Sequence, residues 1–229
     1  MRIEEIWRYP VKSTCGERLT HAPVDERGIE FDRAWGIFDP ATGLVLTARR
    51  EPALLFLSSQ VVDGAPVITT DDGEDVSSDE SLSAHLGRPV ELRSAADGPA
   101  TFENPMNIDD ETDWFQWQSA GRSFHDGRST ISFTSRGTMR DWDPRRFRLN
   151  VILDGDEAET RSGRAMIGSA TITVREPIER CIMVSRAQPG IDRDLEVLKT
   201  IIRERDNQLG MGAVVSSPGV ISVGDELRT

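Results

Sequence analysis

Apolar residues recur at helical spacing over one long stretch of this chain, Asp192 to Leu209; elsewhere they come in short runs cut off by Gly, Pro, Asp and Ser. In that stretch Asp192 reads as the N-cap, Leu195, Leu198, Ile201 and Ile202 as the apolar face, and Gly210 as the stop. Short helices are expected over Asp79 to Leu86, with Gly87 past its end, and over Ser135 to Trp142. Strands are expected over Glu30 to Phe38 and Leu44 to Arg49, a hairpin around Asp39-Pro40-Ala41-Thr42-Gly43, and over Ala53 to Val62. Further strands follow near Ser129 to Phe133, at Phe147 to Leu153, in the alternating run Ala170 to Val174, and on both sides of Ser217-Pro218-Gly219 in the tail. Many short strands and few helices define a mainly β (α+β), barrel-like fold and disfavour a parallel βαβ sheet. No GxGxxG or GxxxxGK[ST] string supports a dinucleotide or P-loop site.

The 229 residues suffice for one large domain or two small ones. Ala95 to Asp113 is small, polar and acidic with little periodicity, so the expected division is a β-rich unit at 1–95, a connecting segment at 96–120 and a second unit at 121–229. Asp71 to Glu80 reads as a solvated acidic loop. A net charge of −12 argues against nucleic acid and anionic membrane as partners. Two cysteines, Cys15 and Cys181, form neither a disulfide framework nor a zinc spacing. The acidic N-terminus and the lack of a long apolar run make a cytoplasmic protein the expectation.

Chemistry concentrates in two places. The single tyrosine and one of two lysines share the run Tyr9-Pro10-Val11-Lys12-Ser13, although Arg supplies nearly all other cations. A compact ammonium suits a phosphate or another anionic group. Far along the chain, Arg180-Cys181 follows a strand, and a cation beside a cysteine favours the thiolate that binds metals or attacks electrophiles. Together they suggest a cofactor rather than a hydrolytic triad. His125, Asp126 and Ser129 are neighbours in sequence, which is not triad geometry, and His21, His85 and His125 are expected in surface or structural roles.

The strings Tyr9-Pro10-Val11-Lys12-Ser13, Asp32-Arg33-Ala34-Trp35 and Leu46-Thr47-Ala48-Arg49-Arg50-Glu51-Pro52 resemble the N-terminal barrel segment that precedes a MOSC domain. Phe147-Arg148-Leu149-Asn150, Ile167-Gly168, Arg180-Cys181 and Pro218 to Asp225 resemble the MOSC domain itself, shared by the molybdenum cofactor sulfurase C-terminus and the mitochondrial amidoxime-reducing component. The resemblance implies a molybdenum–molybdopterin cofactor with Cys181 as thiolate ligand to the metal. It also implies Lys12, Ser13, Arg33, Arg49, Arg148 and Asn150 around the cofactor's phosphate and pterin, with Arg180 beside the ligand and Asp126 as a further polar contact. Against this stand plainer readings: a buried inert cysteine, and arginines paired with Asp32 and Glu51.

The resemblance further implies an oxidoreductase that reduces N-hydroxylated or related N-oxygenated small molecules. Its electrons would come from a separate ferredoxin-like or cytochrome b5/reductase-like protein. Arg140, Arg145 and Arg146 are the expected docking patch for that donor. The alternative is a non-catalytic cofactor or persulfide sulfur carrier working with a cysteine desulfurase, and a scaffold with a vestigial site is the third. Three departures from the family touch the surroundings of the site: no aromatic residue at Gly210-Met211-Gly212, no tryptophan in Arg161-Ser162-Gly163-Arg164-Ala165-Met166, and Thr14 between Ser13 and Cys15.

Overall fold

The computed structural model describes residues 1–106, 113–119, 123–158 and 162–228. In the first part, β1 (Ile3–Arg8), β2 (Glu17–Leu19), β3 (His21–Asp25), β4 (Gly28–Ile29) and β5 (Trp35–Phe38) precede the hairpin β6 (Ser58–Val62) and β7 (Ala65–Thr69). Helix α1 (Asp79–Leu86) then leads to β8 (Glu91–Ser94), and a second hairpin pairs β9 (Thr101–Pro105) with β10 (Trp114–Gln118). The rest holds β11 (Ile131–Ser135), α2 (Arg136–Met139), β12 (Val151–Leu153), β13 (Gly163–Ile167), β14 (Ala170–Glu179), α3 (Leu195–Arg205), β15 (Gln208–Ser217), β16 (Gly219–Ser222) and β17 (Leu227–Arg228). The mainly β class with few helices is therefore borne out.

One curled sheet of eight strands, in the order β17-β13-β14-β15-β11-β12-β1-β2, organises the molecule. It is antiparallel except where β11 lies parallel to β12. The first strands of the chain thus complete a sheet built mostly from its last hundred residues. Ile3, Ile6, Ala22, Val24 and Ile29 are buried in one core with Phe133, Val151, Ile172 and Ile221. A second core, containing Val11, Leu54, Leu55, Leu57 and Ile68, receives Met183 and the side of Cys181 from the far end of the chain. Both cores are therefore shared between the N-terminal strands and the later part of the chain.

Helix α1 lies where the sequence places it, with Ser78 as N-cap and Gly87 left-handed at φ 67°. Several boundaries differ. Helix α3 starts at Leu195 because the Asp194 side chain, not that of Asp192, accepts from the Glu196 N–H. It ends in left-handed Asp206 and Asn207, which turn the chain straight into β15, so Leu209 and Gly210 are strand residues. Its buried face is Val197, Leu198 and Ile201, while Leu195 and Ile202 are exposed.

The expected hairpin at 30–49 shrinks to β5, a bridge from Phe38 to Val45 and a loop, since β5 takes β8 as its partner. Pro52–Phe56 is a 3-10 turn, which leaves only Ser58–Val62 of the expected strand at Ala53 to Val62. The β6–β7 hairpin turns on Asp63-Gly64, both at positive φ. Of Phe147 to Leu153 only the last three residues are strand, because Arg148 adopts φ 54°. The stretch Ala95 to Asp113 is no featureless connection, since it contains β9. Residues 107–112 and 120–122 of the expected connecting segment lie outside the described residues, as does Arg161.

Gly28 shows how closely the early strands pack on the later ones. It sits at φ +102°, and a Cβ there would come 1.9 Å from the Thr130 carbonyl oxygen. Gly28→Ala combines backbone strain with a clash against main chain and should cost about 2 kcal/mol or more. Denaturant unfolding measures this, and an unchanged midpoint would show that the β3–β4 turn is not seated on Thr130.

Candidate cofactor site

The site grows from residues 9–15, which run beside residues 32–35. Arg33 N–H donates to Tyr9 O and Lys12 N–H to Trp35 O, each at 2.8 Å. The chain turns sharply at Ser13, left-handed at φ 71°, and Thr14 Oγ1 closes the turn on Val11 O at 3.0 Å. Arg33 and Arg148 are also left-handed, at φ 50° and 54°. Three of the expected site residues therefore hold a backbone conformation that costs about 1–3 kcal/mol apiece and persists only where the surroundings enforce it.

Asp32 does much of the enforcing. Its fully buried carboxylate accepts from Tyr9 N–H at 2.8 Å and Asn150 Nδ2 at 3.0 Å, and pairs with Arg33. Arg33 Nη2 in turn donates to Arg148 O at 2.8 Å. The Arg33 and Arg148 guanidinium groups lie 4.8 and 4.4 Å from the Tyr9 ring centroid. Asn150 also has its Oδ1 occupied, accepting from Ser132 N–H and Oγ. It positions Asp32, and its amide is committed to protein groups rather than presented to a ligand.

A second carboxylate closes the cluster from outside. Lys12, with 5% of its side chain exposed, donates to Phe124 O at 3.0 Å, pairs with Asp126 and lies 4.2 Å from the Phe102 ring centroid. Asp126, 47% exposed, also reaches Arg49 at 3.4 Å. Arg49 also interacts with the Cys181 thiol, which together with Asp126 favours its charged form and links the early run to the late cysteine. Arg49 thus pairs with Asp126 and not with Glu51. Arg180 lies buried behind Cys181, donating to Phe147 O and receiving charge interaction from the thiol.

Charge is out of balance here. Five cations, Lys12, Arg33, Arg49, Arg148 and Arg180, face two carboxylates, Asp32 and Asp126, in a chain of net charge −12. Burial first of all, with Arg49 and Arg33, lowers Lys12 to about 8 against the pull of Asp126. Burial likewise lowers Arg180 to about 10, opposed by Cys181. Burial would raise the Asp126 carboxyl, yet Lys12 and Arg49 hold it far below the usual range. Arg49 Nε, Arg180 Nε and Tyr9 Oη are buried without a hydrogen-bond partner among the described residues. Orphaned donors beside surplus positive charge fit an anionic ligand with several acceptor oxygens. The donor set therefore fits a phosphate-bearing cofactor whose metal takes one thiolate from the protein.

Some expectations change. Of the surface and structural roles expected for the histidines, His125 fits the structural one: its ring lies largely buried, 3.8 Å from Asp32, with its Nε2 lacking a partner among the described residues. Cys15 stays apart from the cation cluster's sulfur chemistry, its thiol donating to Leu55 O at 3.0 Å and pushed up by burial. Arg146 cannot belong to a docking patch, because it is buried and its guanidinium donates to Val184, Arg186 and Asp192 carbonyls. Arg145 is clasped by Asp143 and Arg140 by Glu204, so these two remain at the surface with their charge matched. Sequence reasoning missed Asp32 as the hub and Phe102 as the floor under Lys12.

Fold and site define a mainly β protein with a buried cluster of cations beside a thiol. Residues 1–118 match the MOSC N-terminal beta barrel domain and residues 123–228 the MOSC domain, so the chain belongs to the MOSC family. It is 22% identical to the molybdenum cofactor sulfurase of Homo sapiens over 98% of this chain and 32% of that protein. To the molybdenum cofactor sulfurase of Anopheles gambiae it is 25% identical, over 95% and 34%. The chain thus spans about a third of the length of these relatives. The crystal structure of the YuaD protein from Bacillus subtilis shares the fold, with a TM-score of 0.50 and 12% identity over 99% of this chain and 93% of that one. Among the described residues no helix is long and apolar enough to cross a membrane.

His125 gives a pH test. Burial, then Arg33, lowers it from 6.5 to about 4 against the pull of Asp32. The unfolded chain then binds the extra proton first, so stability is lost as pH falls from about 6.5 towards 4, by on the order of 3 kcal/mol at most. His125→Gln should flatten that acid limb in denaturant titrations at a series of pH values. An equally steep limb in the variant would mean that His125 is solvated.

Proposed function

We propose that this chain holds a molybdenum–molybdopterin cofactor and uses it to reduce N-hydroxylated or related N-oxygenated small molecules, with electrons from a separate ferredoxin-like or cytochrome b5/reductase-like protein. The observation that carries the reading is Arg49, which interacts both with Asp126, the partner of Lys12, and with the Cys181 thiol, and so brings a thiol to the edge of the cation cluster. No group of three His, Cys, Asp or Glu converges among the described residues, so a metal at Cys181 would bring its remaining ligands with it. When bound, such a cofactor supplies two-electron oxygen-transfer chemistry. The chain supplies the rest.

Cys181 is the soft ligand, with Arg49 and Arg180 offsetting its charge. Lys12, Arg33, Arg49 and Arg148 hold the phosphate, and Ser13, next to Lys12 at the left-handed turn, would add its hydroxyl. Asp126 occupies two of these cations from the solvent side, and an entering phosphate competes with it for Lys12 and Arg49. Asp32, Asn150 and Tyr9 keep Arg33 and Arg148 in place.

The relatives named sulfurase support a second reading, in which Cys181 carries a persulfide received from a cysteine desulfurase. Exposure of the chain to such an enzyme with cysteine, followed by mass spectrometry for an added sulfur atom on Cys181, separates the two.

Protein from a cofactor-competent host should contain molybdenum and give the fluorescent pterin derivative in matching amounts. Cys181→Ser should fold normally and change the sulfur shell in molybdenum X-ray absorption; an unchanged shell would refute the ligand assignment. Lys12→Ala and Arg49→Ala each remove a charge-assisted contact worth about 1.5–3 kcal/mol and should weaken cofactor retention roughly tenfold or more. Wild-type retention in both, with lowered stability, would make these residues structural. Retention by the wild type should also decline as pH rises through about 8, where Lys12 loses its proton.

A further inference from the structure

The β9–β10 hairpin meets the cation cluster at Phe102 and has a face that the assignments above leave unused. Its register sets Phe102 opposite Trp117 and Asn104 opposite Phe115, so these four share one face. Phe102 and Trp117 cover the core below, with Phe102 against Lys12. Leu44 pairs parallel with Thr101, so residues 44–50 run in the same direction as β9 towards its far end. There Arg50 pairs with Glu103 at 2.7 Å and lies 4.1 Å from the Trp114 ring centroid, on the hairpin's opposite face. Asn104 and Phe115 therefore sit one strand repeat, about 7 Å, beyond Phe102, at the end of the hairpin held by Arg50, the chain neighbour of Arg49.

Both residues look unfinished. Phe115 is 41% exposed, and Asn104 Oδ1 is buried without a hydrogen-bond partner among the described residues. A buried acceptor left open costs stability unless something donates to it. An exposed ring continuing an aromatic face offers a flat surface to a flat ligand.

We infer that this hairpin face selects the substrate: Phe115 stacks on a planar aromatic group, and Asn104 Oδ1 accepts a hydrogen bond from an N–H or O–H beside it. The inference rests on the reading of the site as one that takes N-oxygenated small molecules, and it adds that aryl compounds are preferred to alkyl ones. Residues 102, 104, 115 and 117 then form the wall facing Cys181 across the Arg49 end of the site.

Benzamidoxime and acetamidoxime, titrated into the cofactor-loaded protein, test this by two-dimensional NMR of the tryptophan indole N–H groups. Trp117 shares the proposed face and should shift with benzamidoxime, whereas Trp114, on the other face, should not. Phe115→Ala should weaken benzamidoxime binding roughly threefold to tenfold and acetamidoxime by less than about twofold. Asn104→Ala should weaken both while leaving the thermal midpoint equal or higher, because it removes an open buried acceptor. A lowered midpoint with unchanged binding would make Asn104 structural and overturn its role.

Binding with these shifts but no reduction would uphold the hairpin and refute the reductase reading. Reduction of both compounds with no Trp117 shift, or an equal loss for both in Phe115→Ala, would overturn the hairpin and leave the reductase reading standing. Neither binding nor reduction would overturn both.

Discussion

Burying cations without enough carboxylates is the constraint around which this protein is arranged. Asp32 ties together three segments far apart in sequence, through Tyr9, Arg33 and Asn150, and so fixes Arg33 and Arg148 against the Tyr9 ring. Removing charges from water costs several kcal/mol per ion unless partners compensate. Two carboxylates for five cations leave that compensation incomplete. An anion that binds the folded state only would supply the remainder and stabilise the fold by mass action.

The same cluster explains why the two matched regions of the chain form one structure. Lys12 and Arg49 lie in the first and Asp126, Arg148 and Cys181 in the second, so neither region contains the site alone. The shared sheet and the shared core around Leu54 and Cys181 hold the two sets in register. Left-handed Ser13, Arg33 and Arg148 mark where the backbone is forced to serve the site.

Much of this was legible in the sequence. The rarity of lysine picked out Lys12, and the cation beside a cysteine picked out Cys181; both stand where the charge converges. Asn150 and Asp32 were harder, because their roles depend on a contact spanning 118 residues, and no local pattern encodes it. Arg146 looked like surface because arginine usually is, yet three carbonyl oxygens draw it inside. Helix α3 was recognisable by its spacing, but its ends were set by Asp194 and by left-handed Asp206 rather than by the more obvious Asp192 and Gly210. The β9–β10 hairpin escaped notice because its strands alternate weakly and carry polar residues on both faces.

The central claim is that the surplus cations and the Cys181 thiol belong to one cofactor site. Anomalous diffraction at the molybdenum edge, from crystals of protein made in a cofactor-competent host, tests it most directly. The account predicts one molybdenum peak at bonding distance from the Cys181 sulfur, with phosphate density among Lys12, Arg33 and Arg148. A molybdenum peak elsewhere, or a bound cofactor whose phosphate lies away from those three residues, would contradict it.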